Sequence, residues 1–351
     1  MLFSKKALFS ALAIITAGQA TADSLDVTLE QIQSHFIVPK YSQFSQSAEA
    51  LATSTQALCS APSEQTLLDA KQAFIDNVED WQQLQWLNFG PVTYFMRYYA
   101  YEYWPDKKGV TQRQLRSLSA DPQTMQAPKF WTSASIAVRG MTAIESLLYH
   151  GDFNVVARPS DCEVLQAVSQ HHASTTQDVL NQWQQSKATD WIFAEEGATA
   201  SAEHLVLEQM VQQWLEHMSV VKDAKLEVPI GYKERANLKL AEFYRSEQSL
   251  EAIKTNLKSY RTLYHVGSPS LYDAAKAQQP ELAQSLENAL ADNLKIAMQL
   301  PSDYFTGSYT QEQQVEMAKP LVSAISNSQQ TLTNLVTSMG FQIGFNSRDG
   351  D

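Results

Sequence analysis

Residues 139–151 read RGMTAIESLLYHG. Wound at about 100° per residue, this stretch gathers Arg139, Thr142, Glu145, Ser146 and Tyr149 on one arc, with Ile136, Ala137, Met141, Ala143, Ile144, Leu147 and Leu148 on the other. That is the signature of an amphipathic helix. The same three-and-four spacing recurs along most of the chain and strand-like alternation is nearly absent, which predicts an all-α protein. Helices are expected over about 26–58, 64–88, 92–103, 130–150, 162–186, 200–222, 232–263, 281–298 and 311–339. Gly90-Pro91, Trp104-Pro105-Asp106, Ala127-Pro128, Gly267-Ser268-Pro269, Pro280 and Pro301 punctuate them, and Pro39 is expected to kink or shorten the first.

With 351 residues the chain is long enough for two cores rather than one. Periodicity fades over SKATDWIFAEEGATASA, Ser186 to Ala202, so the expected organisation is two helical bundles, residues 23–190 and 191–351, meeting face to face. Residues 1–22 form a separate unit. Lys5 and Lys6 precede an apolar run that ends at Ala20-Thr21-Ala22, the pattern of a cleaved export signal. That run is short for a membrane span, no later run approaches about 20 apolar residues, and no cysteine follows it to carry a lipid. The expected location is therefore the periplasm, without a transmembrane segment.

Cleavage after Ala22 would leave 24 basic against 38 acidic residues, a formal charge of −14. Such a surface repels nucleic acid. Cys59 and Cys162 are the two cysteines, and a pair in an exported chain is most simply a disulfide; a cysteine metal site lacks any CxxC or Cys-His spacing.

The polar arc of RGMTAIESLLYHG has an ordinary reading as a solvated helix face. Against it, the arc holds no lysine, and Gly140 in a helix interior costs about 1 kcal/mol relative to alanine, which points to close approach of another backbone. GMTAIE, Gly140 to Glu145, resembles the GxHxxE motif of the imelysin family of exported bacterial proteins. PKYSQF, Cys59, Trp81, FGP at 89–91, YWPDKKG at 103–109 and GFNSRDGD at the C-terminus extend the resemblance, to the branch of predicted lipoproteins, over nearly the whole mature chain. The resemblance implies a cleft between two helical bundles with Arg139, Thr142 and Glu145 on its wall, a link to iron, and a metallopeptidase activity. Thr142 stands where the motif has histidine. A threonine hydroxyl is a poor ligand for a transition metal, so Glu145 is left as the single metal candidate of the motif.

Trp81 to Asp106 carries ten aromatic residues in 26 positions, too many for all to face a core, and Arg97, Glu102, Trp104 and Asp106 are candidate lining groups of a mostly apolar pocket. His204 and Glu208 stand at i and i+4 and read as a surface pair. His171 and His172 read as solvent-facing, with haem ligation by one of them as the alternative. HExxH, CxxCH, GxSxG, Walker and GxGxxG signatures are missing. The leading expectation is a non-catalytic exported binding protein for a small ligand, metal ion, haem or exported protein partner, connected with iron or haem handling. In it Arg139 orients an anion, Glu145 meets a cation or accepts hydrogen bonds, and Thr142 offers a hydroxyl. The competing expectations are a metal-dependent peptidase using Glu145, and a structural protein that docks another exported protein.

Overall fold

Pro39 sets how the first helix is built. It has no N–H for the carbonyl four residues back, and the chain answers with a π-helical turn, Gln33–Ile37, directly ahead of α1, Val38–Ser60. The helix therefore continues through the proline instead of ending at it. The computed structural model describes residues 26–192 and 200–344; residues 1–22, expected as an export signal, and residues 345–351 of GFNSRDGD lie outside the described residues. Among the described residues no strand occurs, and the protein is all-α.

Helix α1 packs along α2, Glu64–Leu84, and α5, Pro159–Gln185, with α3, Val110–Ala120, and α4, Met141–Tyr149, closing against α5. Ser63 starts α2 by accepting the Thr66 N–H at 3.1 Å. Phe44 of α1 is fully buried, its ring 5.4 Å from Trp81 and 5.3 Å from Tyr101. Cys59 and Cys162 are disulfide-bonded with Cα atoms 5.5 Å apart, tying α1 to α5. A second set comprises α6, Ala202–Ser219, α7, Ser249–His265, α8, Pro280–Ala297, and α9, Gln311–Ser338. Helix α7 also packs on α2, and one cluster of buried apolar side chains runs through both sets. The segment after α9 folds back. Phe341 stacks on His204 with ring centroids 4.6 Å apart, and the Gln342 N–H donates to Glu208, so this histidine and glutamate hold the tail rather than each other.

Three expected helices are interrupted, each for a local reason. Within 92–103, Phe95 (φ 56°) and Met96 (φ 59°) take the left-handed conformation, leaving a short helix at Arg97–Tyr101. Within 130–150, a single helical turn at Phe130–Ser133 and a 3-10 turn at Ile136–Val138 precede a longer helix that starts at Met141. Gly140 stands before it in an extended conformation, and a Cβ there would lie 2.2 Å from the Ala100 carbonyl oxygen and 2.5 Å from that of Tyr101. The close backbone approach expected of Gly140 is present, but at a helix start and not in an interior. Within 232–263, helix begins at Ser249, because Phe243 (φ 51°) and Glu247 (φ 62°) turn the chain. There the Gln248 N–H donates to the Phe243 carbonyl at 3.1 Å in place of a helical ladder.

Candidate functional site

The start of α4 at Met141 decides which motif residues can meet. Thr142 and Glu145 share a face one turn apart. Arg139 precedes the break at Gly140 and leaves in another direction. Glu145 is 2 % exposed, and its Oε1 accepts the Ser246 N–H at 3.0 Å and the Ser246 hydroxyl at 2.8 Å. Oε2 lies 3.4 Å from the Arg245 guanidinium. Burial raises the Glu145 carboxyl above the usual range, with Arg245 and the Ser246 hydrogen bonds pulling it back.

Thr142 and Glu145 form one wall of a cavity of about 300 Å³. Lys239, Tyr244 and Arg245 line it as well, together with residues of the Glu102–Asp106 segment. The Arg245 guanidinium lies 4.4 Å from the centre of the Tyr244 ring, which fixes its plane. Asp106 borders this cavity, yet its two oxygens accept the Val110 and Thr111 N–H groups at 2.8 Å each, so it caps α3. Trp104 donates its indole N–H to the Leu240 carbonyl at 3.0 Å.

Behind Trp104 lies a buried polar network that spacing along the chain does not reveal. Gln85 is its centre. Its amide nitrogen donates to Glu102 Oε2 at 3.0 Å and Glu242 Oε1 at 2.8 Å, while its oxygen accepts from Lys225 Nζ at 2.5 Å and faces His217 Nε2 at 3.0 Å. Because that oxygen can only accept, His217 carries its proton on Nε2 and accepts at Nδ1 from the Tyr260 hydroxyl, 2.7 Å away. Burial and the neighbouring Lys225 charge hold this imidazole neutral, well below its ordinary pKa. Lys225, 1 % exposed, also reaches Gln82 Oε1, Asn256 Oδ1 and Glu242 Oε2, each at 2.7 Å. Glu102 is pushed well above the carboxylate range by burial and by the Glu242 carboxylate, to which it is hydrogen-bonded. That shift favours the protonated form of Glu102, which sits between Trp81, Gln85 and Glu242. A second cavity, about 340 Å³, lies on the other side of Glu102, Trp104 and Pro105 and reaches Gln85 and His217.

An imelysin family model matches residues 37–332. The chain belongs to the imelysin family. Iron-regulated protein A of Synechococcus elongatus is 23% identical over 334 residues, covering 91% of this chain and 87% of that protein. An imelysin-like protein from Psychrobacter arcticum, 20% identical, superposes with a TM-score of 0.78 over 92% of this chain and 98% of its own. A Parabacteroides distasonis protein assigned as an iron-regulated protein A precursor, 16% identical, gives 0.73 over 91% and 95%. At those identities the structures speak for the imelysin fold alone.

The expected site residues thus fall in three places. Thr142, Glu145, Trp104 and Asp106 border the 300 Å³ cavity, Glu102 stands between the two cavities, and Arg139 with Arg97 lines a separate cleft. Glu145 does not fit a metal ion. Its partners are a guanidinium and a serine, and no group of three or more His, Cys, Asp or Glu suited to a metal occurs among the described residues. His172 is fully buried rather than solvent-facing, with Nε2 2.9 Å from Asn77 Oδ1, and burial lowers its pKa to about 3. It is not offered to a haem. Sequence reasoning missed Lys225, Glu242, Arg245 and Gln85. A usable signal for Gln85 was WQQLQW, Trp81 to Trp86, where amides sit among tryptophans that must be buried.

Proposed function

We propose that this imelysin-family chain is an exported binding protein that holds a small polar anion against Thr142, Glu145 and Arg245, with iron as the cargo of that anion, and carries out no catalysis there. The observation that supports it is the pairing of a motif carboxylate with Arg245 at the wall of a 300 Å³ cavity. A carboxylate that already has a guanidinium partner orients that cation rather than competing for a metal. Lys107, Lys239 and His150 border the same cavity, while Thr142, Gln112 and Asn237 offer neutral hydrogen-bonding groups, a lining suited to an oxygen-rich anion. The name of the cyanobacterial relative supports the iron connection. Export is supported by the leader at residues 1–22 and by the Cys59–Cys162 disulfide, which an oxidising compartment favours.

In this reading residues 23–190 and 191–351 are the two bundles, and the ligand lies where Glu145 of the first meets Arg245 of the second. The test is calorimetric titration of the mature protein with citrate and with ferric citrate, repeated for Arg245→Gln. Saturable binding of one ligand per chain, weakened about tenfold or more in the variant, is expected for loss of a charged hydrogen bond. Heats indistinguishable between the two proteins would remove the assignment.

A further inference from the structure

Two arginines line a cleft of about 490 Å³ on the far side of Gly140 from Glu145, and they differ in one respect. Arg97 lies 4.0 Å from Asp178 and donates to the Pro91 carbonyl at 3.3 Å. Arg139 has no acidic partner among the described residues. Its Nη2 donates to the Ala134 carbonyl, and its Nε is buried without an acceptor. Burial, with no neighbouring carboxylate to oppose it, lowers the guanidinium pKa. A half-buried cation without a counter-charge is a costly arrangement for a wall that serves packing alone.

The remainder of the cleft is largely apolar and flat-sided. Trp131 and His171 stack in parallel, with centroids 4.2 Å apart and planes 11° from parallel. Burial, and then the Arg139 charge, lower the His171 pKa to about 4, so this ring is a neutral plate at physiological pH. Ile136 and Tyr101 add apolar surface. On the rim, Phe95 and Met96 are 77 % and 51 % exposed, displayed by two consecutive left-handed residues that ordinarily cost free energy.

We propose that this cleft is a second binding site, for a small organic anion whose carboxylate pairs with Arg139 and whose flat apolar body lies along Trp131, Ile136 and Phe95. Charge complementarity fixes one end of the ligand and the apolar walls fix the other. Arg139, not Arg97, is the recognition residue, because Asp178 already balances Arg97. The site is independent of the Glu145 cavity.

The probes are 2-naphthoate and 2-naphthamide, one ring system with and without the charge, titrated calorimetrically into the mature chain. Naphthoate is expected to bind one per chain and at least tenfold more tightly than the amide. Arg139→Gln should reduce naphthoate to the level of the amide and leave the amide unchanged, Arg139→Lys should retain part of the preference, and Arg245→Gln should leave it intact. No naphthoate binding at millimolar concentration, an acid-to-amide ratio unchanged in Arg139→Gln, or a ratio lost in Arg245→Gln would each overturn the proposal. Should Arg139→Gln fail to fold, the acid-to-amide ratio in the native chain and in Arg139→Lys decides the matter alone.

Discussion

The Glu145 carboxylate and the Arg245 guanidinium, 100 residues apart in sequence, meet at 3.4 Å with side chains only 3% and 14% exposed. Each makes the other tolerable in a place where neither charge would be stable alone. Arg245→Ala is expected to destabilise the chain by about 2–4 kcal/mol, since it strands a buried carboxylate. Glu145→Gln should cost less, because the amide oxygen keeps the Ser246 hydrogen bonds. Urea unfolding of the two variants beside the native chain checks the order; equal losses would contradict it.

Glu102 gives a pH prediction with a definite sign. Its folded pKa is raised well above 4.5, so the folded chain keeps a proton that the unfolded chain has released. This stabilisation is fully present below about pH 4.5 and is lost as pH rises through the folded pKa, at about 1.4 kcal/mol per pH unit in between. Glu102→Gln copies the protonated form: its oxygen can accept from Trp81 and Gln85 and its amide can donate to Glu242. The variant is therefore expected to gain stability relative to the native chain between pH 5 and 7. Unfolding free energies at those two pH values test this, and a difference independent of pH would contradict it.

Lys225→Met should leave Glu242 and three amide oxygens without their shared donor, costing about 3–5 kcal/mol. Adding Glu242→Gln removes the stranded charge and should recover a good part of that loss. The double-mutant cycle measures the coupling directly, and simple additivity would show that the network is not one unit.

Gly140→Ala places a methyl within 2.5 Å of two backbone oxygens, neither of which can move independently of the Tyr101–Glu102 segment. The expected loss is about 1–3 kcal/mol, with weaker ligand binding at Thr142 as well. Thermal unfolding and citrate titration of the same sample read both effects; an alanine variant unchanged in both would contradict the account.

The helical class and the disulfide could be read along the chain because they rest on local periodicity and a cysteine pair; the motif residues Thr142 and Glu145 border a cavity. Arg139 does not share the helix face on which a helical wheel places it, since the wheel assumes no break and Gly140 supplies one. Apolar spacing at three and four extends the expected helix over segment 232–248 as well. Its turn depends on Phe243 and Glu247 adopting a conformation that no residue type there announces, held by the bonds that Glu145 makes to Ser246. Lys225 and Gln85, 140 positions apart, look like solvated residues until the fold brings them together. Partners of that separation leave no trace in a window of local spacing.

The central claim is that the cavity bordered by Glu145 and Arg245 carries an iron-bearing anion. Native mass spectrometry of the mature chain, purified from an expressing periplasm without chelator, tests it most directly. The account predicts one adduct per chain whose mass includes iron and an organic anion, and which disappears in Arg245→Gln but persists in Arg139→Gln. A chain of bare mass after growth in iron-replete medium, or an adduct indifferent to Arg245, would contradict it.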